Sequence, residues 1–287
     1  MIKAQSYVLK KYLDKSSGDY KRKYLSFLFP EEVQNLNKIH HFDPDLQNKT
    51  TFSNELFSFL HYSYIAEILK EFPSTEILYF LQLFPKDISE KISSLLRVNY
   101  KKKNLSPFVD EYFKNQLIKA ILRKNPFFLP PSYLEQSNLN FLIEFSKEEL
   151  CLLIDYLGLY DLAQILKKTL DAKILKKVES FLPEEKKEFL EKIGYPLEPF
   201  LPHMSLDNWS GKSFDLSKKI HKAGLVRLSQ ALSYESSLLI WYITHKLDTG
   251  RKDLIEECLQ KQETFLNAKF VMKQIHFVIQ TKFKKTK

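Results

Sequence analysis

Trp209-Ser-Gly-Lys-Ser213 has the residue types that close a phosphate-binding loop. That loop needs another glycine five residues before its Gly-Lys-Ser and a strand leading into it, so that backbone N–H groups can wrap the phosphate. The position five before Gly211 is Leu206, and no strand pattern precedes it. His40-His41 with Asp43 and Asp45 are metal-ligand types. Adjacent histidines on a helix point about 100° apart and do not face one ion. His61, His203, His221, His245 and His276 are scattered, with no histidine partner at i, i+4 and no Cys/His ligand spacing. No G-x-S-x-G turn or kinase signature is present. The Asp/Glu pairs sit among lysines at helix-surface spacing, where i, i+4 ion pairs account for them. The expectation is a non-enzyme: no catalytic, metal or cofactor residues and no small-molecule substrate.

The elements that would position such residues read as helices. Leu150, Leu153, Ile154 and Leu157 recur at helical spacing; so do Leu159, Leu162, Ala163 and Leu166, and Ile174, Leu175, Val178 and Leu182. Leu153–Ile193 therefore reads as three or four short helices, the first two broken at Gly158 and the last opened by Pro183-Glu184-Glu185. Helices this short must bury their stripes on neighbours. Earlier, helices are expected from Pro30 to about His41, from an N-cap at Ser53 to Lys70, over two short stretches around Ile77–Phe84 and Ile88–Leu96, and from Ser106-Pro107 to about Lys124. Ser132 with Glu135 and Ser146 with Glu149 fit capping boxes. Later helices are expected at about 213–222, 225–232, 234–247, 250–262 and 264–282. No segment alternates as a strand. The fold class is all-α: stacked short helix pairs in an armadillo-like right-handed superhelix of two or three subdomains.

Internal repetition supports that reading. Ile65-Ala-Glu-Ile-Leu69 resembles Leu162-Ala-Gln-Ile-Leu166, and the two are followed at similar distance by Phe84-Pro85 and Leu182-Pro183. A weaker third copy starts at Leu228-Ser-Gln-Ala-Leu232 and reaches Leu247. The irregular stretches Phe42–Thr51, Asn125–Pro131 and Gly194–Lys212 divide the chain into an N-terminal helical segment (1–51), a first repeat unit (52–125), a second (132–193) and a C-terminal unit with a basic tail (213–287).

With 44% hydrophobic residues the chain can fill a core, and 6 glycines among 287 residues leave few tight turns. Two cysteines make no disulfide framework, which suits a reducing compartment. The longest clean apolar run, Leu238–Ile243, is far below the roughly 20 residues of a membrane span, and Met1–Leu13 lacks a signal-peptide core. A cytoplasmic protein is expected. Residues 1–23 carry seven Lys/Arg against two Asp, and residues 269–287 carry six Lys and no acid, so the net +9 belongs to the ends. Basic ends suit an acidic protein, an anionic membrane surface or nucleic acid, or simply keep the chain soluble. Nucleic acid is the weaker reading, because the lysines do not follow one helix with interleaved aromatics and no reader motif appears.

The run Asp161-Leu-Ala-Gln-Ile-Leu-Lys167, followed by Lys173–Val178, resembles the helical stack of the flagellar motor switch protein FliG. Leu56–Leu96 is similar to that family's middle unit, with His61 ahead of Ile65-Ala66. The family's partner-binding Glu-His-Pro-Gln is here Leu60-His61-Tyr62-Ser63, so only the histidine survives. Its basic pair ahead of the last helix is replaced by Pro183-Glu184-Glu185, and its torque-generating charged helix has no match. The resemblance implies an armadillo-like scaffold that docks proteins, with His61, Tyr62 and Ser63 at the binding position. The setting it implies is the inner face of the cell membrane, at the base of a flagellar-type or type III secretion apparatus. The alternatives are an unrelated helical adaptor and a basic nucleic-acid-associated protein.

Overall fold

A computed structural model describes residues 10, 13, 18–37, 56–125, 129–194, 198, 201–207, 209–260 and 268–283. His40, His41, the 42–51 stretch and Ser53 lie outside the described residues. Every described element is helical and no strand occurs among the described residues, as expected for an all-α chain. No described helix is long and apolar enough to cross a membrane. The chain divides into two compact units, Met1–Asn140 and Phe141–Lys287.

The first unit contains α1 (Gly18–Leu25), α2 (Pro30–Asn37), α3 (Tyr62–Leu69), α4 (Ser74–Phe80), α5 (Lys86–Leu96) and α6 (Pro107–Lys124). Leu69, Phe80, Leu81, Ile92, Leu117 and Ile121 form its fully buried core. Ser106 caps α6 by accepting from the Val109 N–H at 3.4 Å, and Pro107 opens the helix. Two expectations are corrected. The helix expected to run unbroken to Lys70 is interrupted: residues 56–59 are helical, and His61, with extended backbone, restarts the chain as the N-cap of α3. Its ring accepts from the Ser63 N–H, a local bond that competes with continuing the helix. Ser132–Glu135 starts no α-helix either. Pro131–Tyr133 is a single 3₁₀ turn, after which Leu134 is extended and the Asn140 side chain donates to Glu135 O at 2.8 Å.

The second unit contains α7 (Lys147–Lys168), α8 (Ala172–Phe181), α9 (Glu184–Ile193), α10 (Ser213–Leu232), α11 (Ser237–Lys246), α12 (Thr249–Gln260) and α13 (Ala268–Val278), which runs on into a π-turn at Ile279–Phe283. The capping box at Ser146 and Glu149 is formed, at 3.1 and 2.8 Å. Gly158 does not break a helix. α7 runs through it for 22 residues, and α10 likewise runs unbroken through 222–225 for 20 residues. The reason is the crossing of these two helices. A Cβ on Gly158 would lie 1.9 Å from Ile220 O, and one on Gly224 would lie 1.8 Å from Ile154 O. The two glycines let the backbones touch, so each sits mid-helix where the approach is closest.

The three stretches that carry the related motifs share one element order. Each motif closes a helix (α3, α7, α10), a shorter helix follows (α4, α8, α11), and a third begins beyond Phe84-Pro85, Leu182-Pro183 or Leu247-Asp248. Phe84, Leu182 and Leu247 are all buried. The Gly194–Lys212 stretch lies inside the second unit.

Candidate functional site

Arg227, on the inner face of α10, has no solvent-accessible side-chain surface, and neither do the Asp161 and Glu198 side chains it meets. It uses all five of its N–H donors. Nε donates to Asp161 Oδ1 at 2.9 Å, and Nη2 to Asp161 Oδ1 and to Glu198 Oε2 (2.6 Å). Nη1 donates to Glu198 Oε1 at 3.0 Å and to Gln274 Oε1 at 2.7 Å. Gln274, from α13, donates back to Glu198 at 2.6 Å, and Gln164, from α7, donates to the other Glu198 oxygen. The second Asp161 oxygen accepts from the His203 N–H at 2.7 Å. The Gln230 amide donates to His203 Nε2 at 2.9 Å, while Gln230 Oε1 meets no partner among the described residues. Burial holds His203 below the usual histidine range despite nearby Asp161, which keeps Nε2 free to accept. The Tyr160 ring lies 5.6 Å from the guanidinium, and burial raises its hydroxyl well above the ordinary tyrosine range. The cluster thus ties α7, α10, α13, Glu198 and the His203 backbone to one cation. Its charged groups are spent on one another.

A second cluster lies one helical turn to the other side of the glycine crossing. His221 Nδ1 and Asp155 Oδ1 are 2.7 Å apart, and Arg251 Nε donates to His221 Nε2 at 2.7 Å. Because arginine can only donate, Nε2 is the acceptor and Nδ1 carries the proton. Asp155 also accepts from Lys186 at 2.8 Å. An Asp–His pair is the orienting half of a hydrolytic triad, but the nitrogen that would take up a proton is already engaged by Arg251. Cys151 lies one turn before Asp155 on α7, and burial raises its thiol above its ordinary value, the reverse of an activated nucleophile. Both cysteines are unbridged. Among the described residues no group of His, Cys, Asp and Glu has metal-binding placement.

The residues singled out from sequence have clear places. His61 is buried, with its ring against Tyr62 at 4.0 Å, while Tyr62 and Ser63 are half-buried and Lys91 lies over the Tyr62 ring. In the Trp209–Ser213 stretch Gly211 has φ +73°, Trp209 Nε1 donates to Lys212 O at 3.0 Å, and Ser210 is bonded to Asp215. The buried cluster went unread in the sequence. Its signal was present: Asp161 and Arg227 each interrupt an apolar run that the helical period sends inward.

In the first unit the informative surface is aromatic. Tyr79 stacks on Phe113 at 4.9 Å, and Phe113 meets Phe80 edge-on at 5.1 Å, which links surface to core. Tyr112 lies edge-on to Phe113, and Phe108 is one turn before Tyr112 on α6. Tyr79, Tyr112 and Phe108 are 46, 52 and 82% exposed.

No family model, curated protein or solved structure matches the chain. The clusters and surfaces above therefore have to be read on their own chemistry.

Proposed function

We propose that the chain is a non-catalytic helical scaffold that binds protein components at the membrane-proximal base of a flagellar-type or type III secretion apparatus. The observation that carries the docking role is the aromatic face of α4 and α6. Tyr79, Phe108 and Tyr112 offer large, stiff apolar area at low entropic cost, the kind of surface that anchors a partner helix. Tyr62 and Ser63, at the start of α3, belong to the same proposal, with His61 as the cap that fixes their backbone. The armadillo-like stacking within the units is also proposed, supported by the shared element order of the three repeat copies. The setting rests on the resemblance of Leu56–Leu96 and Asp161–Val178 to the motor switch family.

A photo-crosslinking side chain at Phe108, compared in cells with one at exposed Glu67 on α3, tests this reading. Adducts to an apparatus component from position 108, absent from position 67 and lost in a Tyr79→Ser/Tyr112→Ser background, are expected. Adducts equal at both positions, or unchanged by the double substitution, overturn it.

A further inference from the structure

The second unit carries a lysine-rich surface where α8 meets the start of α10. Lys177 Nζ lies 5.7 Å from the Trp209 ring centre and reaches over Gly211, where a Cβ would stand 2.3 Å from it. Lys173 is one turn before Lys177 on the same exposed side of α8. Lys212 follows directly and is exposed. One turn on, Lys218 sits 4.4 Å over the ring of Phe214, which is 66% exposed. None of Lys173, Lys177, Lys212 and Lys218 takes part in an ion pair among the described residues. Nearby acids are engaged locally: Asp171 caps α8 through the Lys173 N–H, and Asp215 holds Ser210. Glu179 is the one acid within α8. The surface is thus a field of uncompensated cations with aromatic rings set between them.

We infer that this face binds an anionic lipid bilayer. Two features select that occupant. First, the cations are all lysines, with no arginine on α8 or in 201–222. Lysine is a hydrated point charge without the planar fork that reads a single phosphate or carboxylate bidentately, so it suits a diffuse negative surface. Second, half-buried Trp209 lies beside Lys177 and exposed Phe214 lies under Lys218, and Leu170, just ahead of α8, is 97% exposed. Aromatic and aliphatic side chains beside lysines match the boundary between headgroups and acyl chains, where charge attraction and shallow apolar burial add. This surface is on the second unit and is independent of the docking face on the first.

The 287-residue protein is to be mixed with phosphatidylcholine vesicles, with and without phosphatidylglycerol, and binding followed by sedimentation and tryptophan emission. Binding to the phosphatidylglycerol vesicles alone is expected, with a blue shift that Trp209→Phe removes and an affinity that falls as salt rises. Lys173→Glu/Lys177→Glu/Lys218→Glu, with an unchanged thermal transition, is expected to weaken binding by about tenfold or more. Replacing Lys284, Lys285 and Lys287 by Gln is expected to change it by no more than about threefold, which separates this face from the basic tail. Phe214→Ser gives a second test that leaves the charge intact: it should reduce the blue shift and the bound fraction. Equal binding by the charge-reversed protein overturns the proposal, and so does tighter binding to polyglutamate or to duplex DNA at the same salt.

Discussion

Arg227 illustrates how a single residue can organise half a chain. A guanidinium with no access to water is tolerable only when its donors and its counter-charges are all satisfied, and here five donors meet two carboxylates and one amide oxygen. A cluster of this kind contributes little over a well-packed apolar core of the same shape. Its effect is to demand one arrangement, because losing one member leaves the others charged and unpaired. Arg227→Met strands Asp161 and Glu198 and is expected to cost about 3–5 kcal/mol of stability in urea unfolding. Arg227→Lys keeps the charge but cannot reproduce the fork, so it should also destabilise. Combining Arg227→Met with Asp161→Asn and Glu198→Gln should recover much of the loss. If the triple replacement is no more stable than Arg227→Met, stranded charge is not the cause.

At the scale of elements, the α7–α10 pair explains why that cluster sits where it does. Asp155 meets His221, Gly158 lies against Gly224, and Asp161 meets Arg227. The contacts keep the same order along both helices, so the two run in the same direction. They also keep the offset that relates Leu162 to Leu228 in the repeat motif. Helices α7 and α10, which carry the second and third motifs, therefore pack side by side and parallel. The glycines set the distance: a methyl group at either forces carbonyl oxygens apart. Gly158→Ala and Gly224→Ala are each expected to destabilise by about 3 kcal/mol, at the upper end for overpacking because backbone has to yield. Gly250→Ala on α12, whose Cβ would meet nothing closer than Asp248 at 3.6 Å, should be neutral or stabilise by about 0.5–1 kcal/mol. Urea midpoints of the three variants test the contrast. Much of this layer was legible in the sequence. Helical spacing located α8, α9 and α11 to α13, the Ser146 and Ser106 caps were read correctly, and the likeness of Leu162–Leu166 to Leu228–Leu232 was visible, while α7 and α10 were each expected as two helices. Gly158 was misread as a break because sequence shows a glycine's freedom but not the neighbour that requires it. The ionic cluster was missed because Glu198 and Gln274 stand far from Asp161 along the chain, and only tertiary packing brings them to one cation.

Over the whole molecule, the same burial that organises the core sets how stability responds to acid. Burial, with Lys252 nearby, pushes His245 down to about 3, against the pull of its bond to the Trp241 carbonyl. His203 is displaced in the same direction. In the unfolded chain both regain ordinary affinity for a proton, near 6.5. Below that pH the unfolded state binds more protons than the folded one, so stability falls as pH falls, by up to about 1.4 kcal/mol per pH unit for each such histidine, until the folded-state value is reached. Asp155 and Asp248 extend the decline. Burial alone would raise them, but for Asp155 the hydrogen bonds from His221 and Lys186 with the Lys186 charge, and for Asp248 the hydrogen bonds and charge of Arg251, outweigh it and leave both carboxyls below the usual range. Their stabilisation is present above the ordinary carboxylate range and is lost as pH falls through the folded values. On the alkaline side, raised Tyr156 and Tyr160 make stability fall above about pH 10, where the unfolded chain loses protons first. The urea midpoint should therefore be greatest from neutral to mildly alkaline pH. His245→Phe, which keeps a ring against Trp241, should flatten part of the limb between about pH 6.5 and 4 whatever its effect at pH 7. Asp155→Asn should flatten only the limb below about pH 4. A wild-type midpoint that holds level from pH 7 to 4 would mean that His245 and His203 titrate alike in the folded and unfolded chain, and that the core around Trp241 and Arg227 admits water.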